Sequence, residues 1–336
     1  MNLAYYPGCS GLGTSREYER STRAACAALG VKLTEIPDWS CCGSTPAHAL
    51  EHALSGALSA RNLVGAARAG CDTVATPCPS CLSNLKTARH RMADDGFRAR
   101  VGRLLDQPAD ALAALPDVQS VLETLVTRVG LDAIRAKVRQ PLAGLRVAPY
   151  YGCIMTRPAD VMRFDDPENP TSMDDLLAAL GAEVVPFPYK VECCGASYGV
   201  TRRDIVARLS GRLLGAARDA GAHAVVVACP LCQMNLDLRQ TQVEWPGGKA
   251  VDMPVFYFTQ LLGRALGVPD AELGLEQLCV DPAIAFRRAA QAVAARQAEE
   301  AALAAKAAAK AAQAKQAAAQ TAVKAVHAEQ AEGGRA

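Results

Sequence analysis

The sequence predicts an α/β protein made of two similar halves, each with mostly parallel strands. Three short cysteine-containing strings occur twice, in the same order, along the 336 residues, and such a repeat indicates an internal duplication. Short β-prone runs precede these strings, and segments of helical periodicity fill the intervals between them. Strands and helices that alternate in this way typically form a layer of parallel strands covered by helices.

The repeated strings define the two halves. YYPGC recurs as YYGC, SCCGS as ECCGA, and CPSC as CPLC, so that residues 5–9, 40–44 and 78–81 match residues 150–153, 192–196 and 229–232. The offset between partners changes after the first string, and only a loop accepts such a change in length easily.

The predicted strands end where the cysteines begin. The β-prone runs cover residues 3–6, 31–36 and 73–76 in the first half, and 146–150, 183–187 and 224–228 in the second. Ligands of such sheets gather at the carboxyl ends of the strands. We therefore expect the three cysteine loops of each half to converge at one edge of its sheet.

Helical periodicity completes the predicted organisation. It covers residues 17–29, 50–69, 173–180 and 204–220. We expect a first cysteine-rich domain at 1–92, a helical linker at 93–142, a second cysteine-rich domain at 143–285 and a low-complexity tail at 286–336. The tail is rich in alanine and lysine but lacks a broad apolar stripe, so it is predicted to be a solvated helix or partly disordered.

Composition and charge exclude several classes of partner. Lys and Arg number 36 against 34 Asp and Glu, so no basic surplus indicates nucleic acid. No run of 18 uncharged apolar residues and no signal-peptide pattern occurs. We therefore expect a cytoplasmic protein without a membrane span, whose thirteen cysteines serve metal or redox chemistry rather than structural disulfides.

Ten of the cysteines form a twofold pattern. They are Cys9, Cys41, Cys42, Cys78 and Cys81 in the first half, and Cys153, Cys193, Cys194, Cys229 and Cys232 in the second. Zinc needs four ligands and a cubane iron–sulfur cluster needs four thiolates. Five thiols in each half, two of them adjacent, therefore favour an iron–sulfur cluster of unusual shape, with zinc as the alternative. Gly43 and Gly195 would allow the sharp bend after the adjacent pairs.

Several further residues carry weaker expectations. Both CPxC strings lead into predicted helices, whose free N–H groups and dipole would stabilise thiolate charge. Cys26, Cys71 and Cys279 are expected to be small buried side chains. His48 and His52 would share one helical face after the first CCG, where packing or surface placement is favoured over a role in acid chemistry.

With these motifs the sequence resembles the B-type subunit of heterodisulfide reductase, from Tyr5 to about Gly267. The most specific strings are FDDPENPTSMDDLLAALGAEVVPFPYKVECCGAS at 164–197, ACPLCQMNLD at 228–237 and VFYFTQLLGRALG at 255–267. The resemblance implies two Rossmann-like CCG domains, each holding a noncubane [4Fe–4S] cluster on five cysteines. By resemblance, Cys9, Cys41, Cys42, Cys78 and Cys81 would hold one cluster, and Cys153, Cys193, Cys194, Cys229 and Cys232 the other.

The resemblance also implies an activity and partners. It predicts an oxidoreductase component that makes or breaks a thiol/disulfide bond between its clusters, with a small thiol, disulfide or persulfide as substrate. Electrons would come from homologues of the family's ferredoxin-like C-type subunit and its flavin-containing A-type subunit. The tail and the Ala- and Arg-rich composition favour a bacterial relative, for example in sulfur oxidation.

An alternative from another class is an electron-transfer module of a quinone-linked succinate or fumarate enzyme. The chain has neither a ferredoxin-type C-x2-C-x2-C run nor a G-x-G-x-x-G string after a strand. Under either hypothesis it is expected to exchange electrons through another protein.

Overall fold

The computed structural model describes residues 1–44, 50–243, 245 and 251–333, with side chains described as far as residue 315. The chain forms two compact units, Met1–Ala289 and Ala290–Ala336. Both cysteine-rich halves belong to the first unit, so the predicted boundary near residue 142 lies within one compact body.

Two four-stranded sheets, one in each half, form the centre of the first unit. The strands are β1 (Asn2–Tyr5), β2 (Lys32–Glu35), β3 (Thr73–Thr76), β4 (Asp117–Ser120), β5 (Arg146–Tyr150), β6 (Glu183–Val184), β7 (Ala224–Val227) and β8 (Val255–Tyr257). Their orders are β2-β1-β3-β4 and β6-β5-β7-β8, and every pair is parallel. The predicted α/β class and the duplication are thus confirmed.

Helices fill the intervals between the strands. The α-helices of the first half cover Gly8–Leu12, Arg16–Leu29, His52–Arg68, Pro79–Arg91, Asp95–Leu105, Ala109–Ala113, Val121–Thr124 and Leu131–Ala136. Those of the second half and the tail cover Ala159–Met162, Ser172–Ala179, Arg203–Asp219, Pro230–Asp237, Phe258–Ala265, Asp270–Leu273 and Ala283–Gly333. The four helices predicted from periodicity are present within two residues of their expected ends.

Each sheet has a fourth strand that periodicity did not predict. The segment 93–142, expected to be a helical linker, also contributes β4, which pairs with β3 along its whole length. Helical periodicity is interrupted at Ser120, whose hydroxyl accepts the Glu123 N–H at 2.9 Å and starts the following helix. Both β4 and β8 run directly into a helix, so no turn residue separates strand from helix in the sequence.

One hydrophobic cluster contains buried residues of both halves, and a second lies mainly in the first half. The helix Arg16–Leu29 of the first half packs against Phe258–Ala265 of the second. The hydroxyls of Ser21 and Thr259 lie 2.7 Å apart within this buried contact. A buried hydrogen bond removed from water strengthens such packing and fixes its register.

The last helix starts inside the first unit. Phe286 contacts the Phe256 ring, with centroids 5.5 Å apart, and the Arg264 guanidinium lies 4.0 Å from the Phe286 ring centroid. The compact unit therefore extends to Ala289, beyond the predicted boundary at residue 285. Within the described part of the chain, no helix is long and apolar enough to cross a membrane.

Candidate functional site

The cysteines lie where the strands of each sheet end. Cys9 and Cys153 follow β1 and β5, whereas Cys78 and Cys229 follow β3 and β7 and are the residues just before the helices Pro79–Arg91 and Pro230–Asp237. Proline at the first helical position has no N–H to leave unpaired. The predicted placement of the CPxC strings at helix amino ends is confirmed.

In each half, one sulfur of the CCG string meets one of the CPxC string. The Cys42 and Cys81 sulfurs lie 3.5 Å apart, and the Cys194 and Cys232 sulfurs lie 3.6 Å apart. Loops separated by 38 or 39 residues in the chain thus come together at the same position in both halves. The structure brings together the CCG and CPxC strings as the duplication predicts.

Each half buries three of its five cysteines and leaves two towards the surface. The buried ones are Cys42, Cys78, Cys81, Cys194, Cys229 and Cys232. Cys9 and Cys193 are exposed, and Cys41 and Cys153 are half-buried. Both cysteine groups are therefore closed on the core side and open on the other.

In each half, the contact between two sulfurs lowers the pKa of one cysteine and raises the pKa of the other. The hydrogen bond from Cys81 lowers the pKa of Cys42 to about 7, and the hydrogen bond from Cys232 lowers the pKa of Cys194 to about 6. The same contacts raise the pKa of Cys81 and of Cys232. The sulfur contacts thus favour the thiolate form of Cys42 and of Cys194, and thiolate is the form that binds metal.

An asparagine supports each of these thiolates. The Asn235 side-chain N–H donates to the Cys194 sulfur at 3.5 Å and to the Ala196 carbonyl at 3.1 Å. Asn84 has the same position three residues after its CPxC string, and its side-chain nitrogen lies 3.9 Å from the Cys42 sulfur. Sequence reasoning missed this pair, although the repeat C-P-x-C-x-x-N was present as a signal.

A buried tyrosine holds the backbone just before each CCG string. The Tyr6 hydroxyl donates to the Ser40 carbonyl at 2.7 Å, and the Tyr150 hydroxyl donates to the Glu192 carbonyl at 2.6 Å. Burial raises the pKa of both hydroxyls, so they remain donors. The repeated tyrosine of YYPGC and YYGC was visible in the sequence, but its role was not.

A glycine in each half leaves room for a sulfur. A methyl group on Gly8 would lie 2.8 Å from the Cys81 sulfur, and one on Gly152 would lie 3.1 Å from the Cys232 sulfur. Both glycines also have a positive φ, which other residues adopt at a cost. Burial and then the charges of Cys41, Cys42 and Cys78 raise the pKa of Cys9, and burial and then the charges of Cys193, Cys194 and Cys229 raise the pKa of Cys153. The thiols of each half are thus neighbours, and their chemistry fits a group bound through sulfur. Gly43 and Gly195 also have positive φ, as the predicted bends require.

The remaining sequence candidates have mixed outcomes. Cys26 is buried, and burial raises its pKa to about 12. Cys71 is only half-buried and Cys279 is exposed, contrary to expectation, because Cys71 lies in the loop after the helix His52–Arg68 and Cys279 in the loop before the helix Ala283–Gly333. His52 begins the helix His52–Arg68, whereas His48 lies outside the described residues. Among the residues described, no group of three or more Cys, His, Asp or Glu is arranged to hold a metal ion.

Comparison with known proteins finds the same two regions. The family CCG, described as a cysteine-rich domain, matches residues 3–86 and 147–237. The chain is 34% identical over 279 residues to the 8-methylmenaquinol:fumarate reductase membrane anchor subunit of Wolinella succinogenes, covering 83% of this chain and 97% of the relative. It is 30% identical to the B-type subunit of the ferredoxin/F420H2-dependent CoB-CoM heterodisulfide reductase of Methanosarcina acetivorans, covering 82% and 92%.

A solved structure shares the fold. A hypothetical protein from Helicobacter pylori superposes with a TM-score of 0.62 at 11% sequence identity, covering 83% of this chain. The chain spans about half the length of that protein, 52%. At this identity the likeness concerns the fold alone.

Proposed function

Because this chain belongs to the CCG cysteine-rich domain family and has relatives among the B-type subunits of heterodisulfide reductases, we propose that it is an iron–sulfur component of a reductase complex. Both relatives above are named as subunits of reductases. The partners of this chain would be homologues of a ferredoxin-like protein and a flavoprotein, which carry electrons to or from it.

Each half would hold one cluster on its five cysteines. The proposed ligands are Cys9, Cys41, Cys42, Cys78 and Cys81 for the first cluster, and Cys153, Cys193, Cys194, Cys229 and Cys232 for the second. The sulfur pairs at 3.5 and 3.6 Å support this assignment, as does the close approach of the Cys81 and Cys232 sulfurs to Gly8 and Gly152. The family resemblance favours noncubane [4Fe–4S] clusters.

The function favoured is thiol/disulfide chemistry, and the open side of each cysteine group carries this proposal. Cys9 and Cys193 are exposed, so a small sulfur compound could reach either site from solvent. Reduction of a disulfide takes two electrons and two protons and yields two thiols. Two clusters would supply those electrons one at a time, while the buried tyrosine and asparagine of each half keep the ligands in place.

A second candidate function is electron transfer to or from a quinone. The observation that favours it is the 34% identity to the membrane anchor subunit of a menaquinol-linked fumarate reductase. Such a module needs both clusters but no iron that a substrate sulfur can reach.

Metal analysis tests the proposal common to both candidates. Anaerobically purified protein should contain about eight irons and a matching amount of acid-labile sulfide per chain. Cys194→Ser should lose one cluster and keep the other, because the cysteines of each half come from that half alone. Stoichiometric zinc without sulfide would contradict the iron–sulfur proposal.

Titration separates the two candidates. Small thiols and persulfides labelled with 33S should broaden the paramagnetic resonance of the oxidised protein by hyperfine coupling if sulfur binds iron. Cys42→Ser and Cys194→Ser proteins, each with one cluster, would show which half responds. If no sulfur compound changes the signal while a quinone analogue does, disulfide chemistry is wrong and electron transfer is favoured.

A further inference from the structure

Tyr18 lies between the two cysteine groups. It belongs to the helix Arg16–Leu29 and is 2% exposed. Its hydroxyl lies 3.0 Å from the Pro77 carbonyl of the first half and 3.0 Å from the Ala228 carbonyl of the second. One buried side chain therefore contacts equivalent points at the ends of β3 and β7, the third strand of each half.

Both carbonyls belong to peptide groups that lead into a proposed ligand. Pro77 precedes Cys78 and Ala228 precedes Cys229. A hydrogen bond to a peptide carbonyl polarises the whole peptide group, and the effect is strong in a buried, low-dielectric environment. The Tyr18 hydroxyl thus faces the peptide group that precedes Cys78 and the one that precedes Cys229.

Residues of the second half hold the Tyr18 ring in place. It stacks on Tyr257 with centroids 4.0 Å apart and planes 5° apart, and it meets the edge of Phe258 at 6.2 Å. The nearby Ser21–Thr259 contact fixes the helix that carries it. Tyr18 is therefore held by one half while its own helix belongs to the other.

This arrangement differs from that of the other two tyrosine donors. Tyr6 and Tyr150 each donate to one carbonyl within their own half. Tyr18 has a single hydroxyl hydrogen for two carbonyls, so the two halves share it. We propose that Tyr18 is a positioning residue common to both sites, whose shared hydrogen bond tunes the two proposed clusters together.

The inference rests on the proposed function, and Tyr18→Phe tests it. This change removes the hydroxyl and keeps the stacked ring. Reduction midpoints would be measured in Cys194→Ser and Cys42→Ser proteins, each holding one cluster, so that magnetic interaction between clusters does not interfere. Hydrogen bonds and nearby positive charge favour the reduced cluster. Tyr18→Phe should therefore lower the midpoint of each cluster.

Two matched variants provide the comparison. Tyr6→Phe should lower only the midpoint of the first cluster, and Tyr150→Phe only that of the second, since each hydroxyl serves one half. Circular dichroism and iron content would verify folding and loading. If Tyr18→Phe does not retain its clusters, Tyr257→Leu offers a second route, because loss of the stacked ring should release the Tyr18 hydroxyl and shift both midpoints.

The possible results separate the inference about Tyr18 from the iron–sulfur proposal on which it rests. Wild-type protein without iron and sulfide would overturn both. Loaded protein in which Tyr18→Phe shifts one midpoint, or neither, would overturn the sharing by Tyr18 and leave the iron–sulfur proposal intact.

Discussion

At the scale of single residues, the position of one buried CPxC sulfur in each half depends on a glycine that has no side chain. Gly8 and Gly152 both have positive φ, and a methyl group on either would crowd a CPxC sulfur. An alanine at either position would have two effects. Its methyl group would displace the sulfur, and its positive φ would lower the stability of the fold. These two effects can be separated by mutation.

We predict that Gly8→Ala loses the first cluster and that Gly152→Ala weakens the second, because the methyl group displaces Cys81 or Cys232. The contact is closer at Gly8, 2.8 Å against 3.1 Å, so its loss of iron should be the larger. Iron and sulfide content with paramagnetic resonance would measure this effect.

Gly70→Ala is the matched control. Gly70 has a similar φ of 74°, but a methyl group there would have no atom within 4 Å. It should cost about 1 kcal/mol of stability through backbone strain and leave both clusters in place. Equal iron loss in Gly70→Ala would show that strain, and not the sulfur contact, decides loading.

At the scale of secondary-structure elements, a buried ion pair joins three segments. Lys86 in the helix Pro79–Arg91 contacts the Glu123 carboxylate at 3.3 Å and donates to the Met162 carbonyl at 2.6 Å. The side chains are 10% and 11% exposed. Burial raises the pKa of Glu123, although Lys86 opposes this effect. The carboxylate therefore depends on its partner to remain charged.

We predict that Lys86→Met lowers the free energy of unfolding by about 3 kcal/mol, because it leaves a buried carboxylate unpaired. The double variant Lys86→Met/Glu123→Gln should lose less than half as much free energy of unfolding as Lys86→Met, because no charge is then left unpaired. Without Lys86 the pKa of Glu123 rises further, so the folded form takes up a proton more readily than the unfolded form. The defect of Lys86→Met should therefore grow as the pH rises from about 5 to about 8.

Denaturant unfolding of both variants at the two pH values would measure this. A double variant as unstable as the single one would contradict the role of the unpaired charge and indicate loss of packing by the lysine chain instead.

At the scale of the whole molecule, the boundary of the compact body lies after Phe286, because this side chain packs on Phe256 and Arg264. We predict that a chain ending at Ala289 keeps both clusters and its melting temperature. A chain ending at Ala285 should lose about 1–2 kcal/mol through the missing ring contacts. Calorimetry and iron analysis of the two truncated proteins would measure both effects.

The comparison between these two chains is the decisive one. They differ only by residues 286–289, so any change common to both concerns the tail from Ala290 onwards. Loss of iron from the chain ending at Ala289 would contradict the view that the first unit is self-sufficient.

The sequence by itself determined the α/β class, the duplication and the ten candidate cysteines. These follow from local patterns, since a strand, the start of a helix and the spacing of cysteines each depend on a short stretch of sequence. The bends at Gly43 and Gly195 were also predictable, because glycine adopts the positive φ of a sharp bend at little steric cost. The strands β4 and β8 were not, because each runs without a break into a helix and no turn residue separates the two elements.

Only the tertiary structure decided which other groups serve the sites. It assigned Tyr6 and Tyr150 to carbonyls before the CCG strings, and Tyr18 to carbonyls in both halves. Nothing near Tyr18 in the chain indicates a partner at Ala228, 210 residues away. A hydrogen bond of about 3 Å depends on how whole helices and sheets pack, and that packing is a property of the folded core rather than of any local pattern.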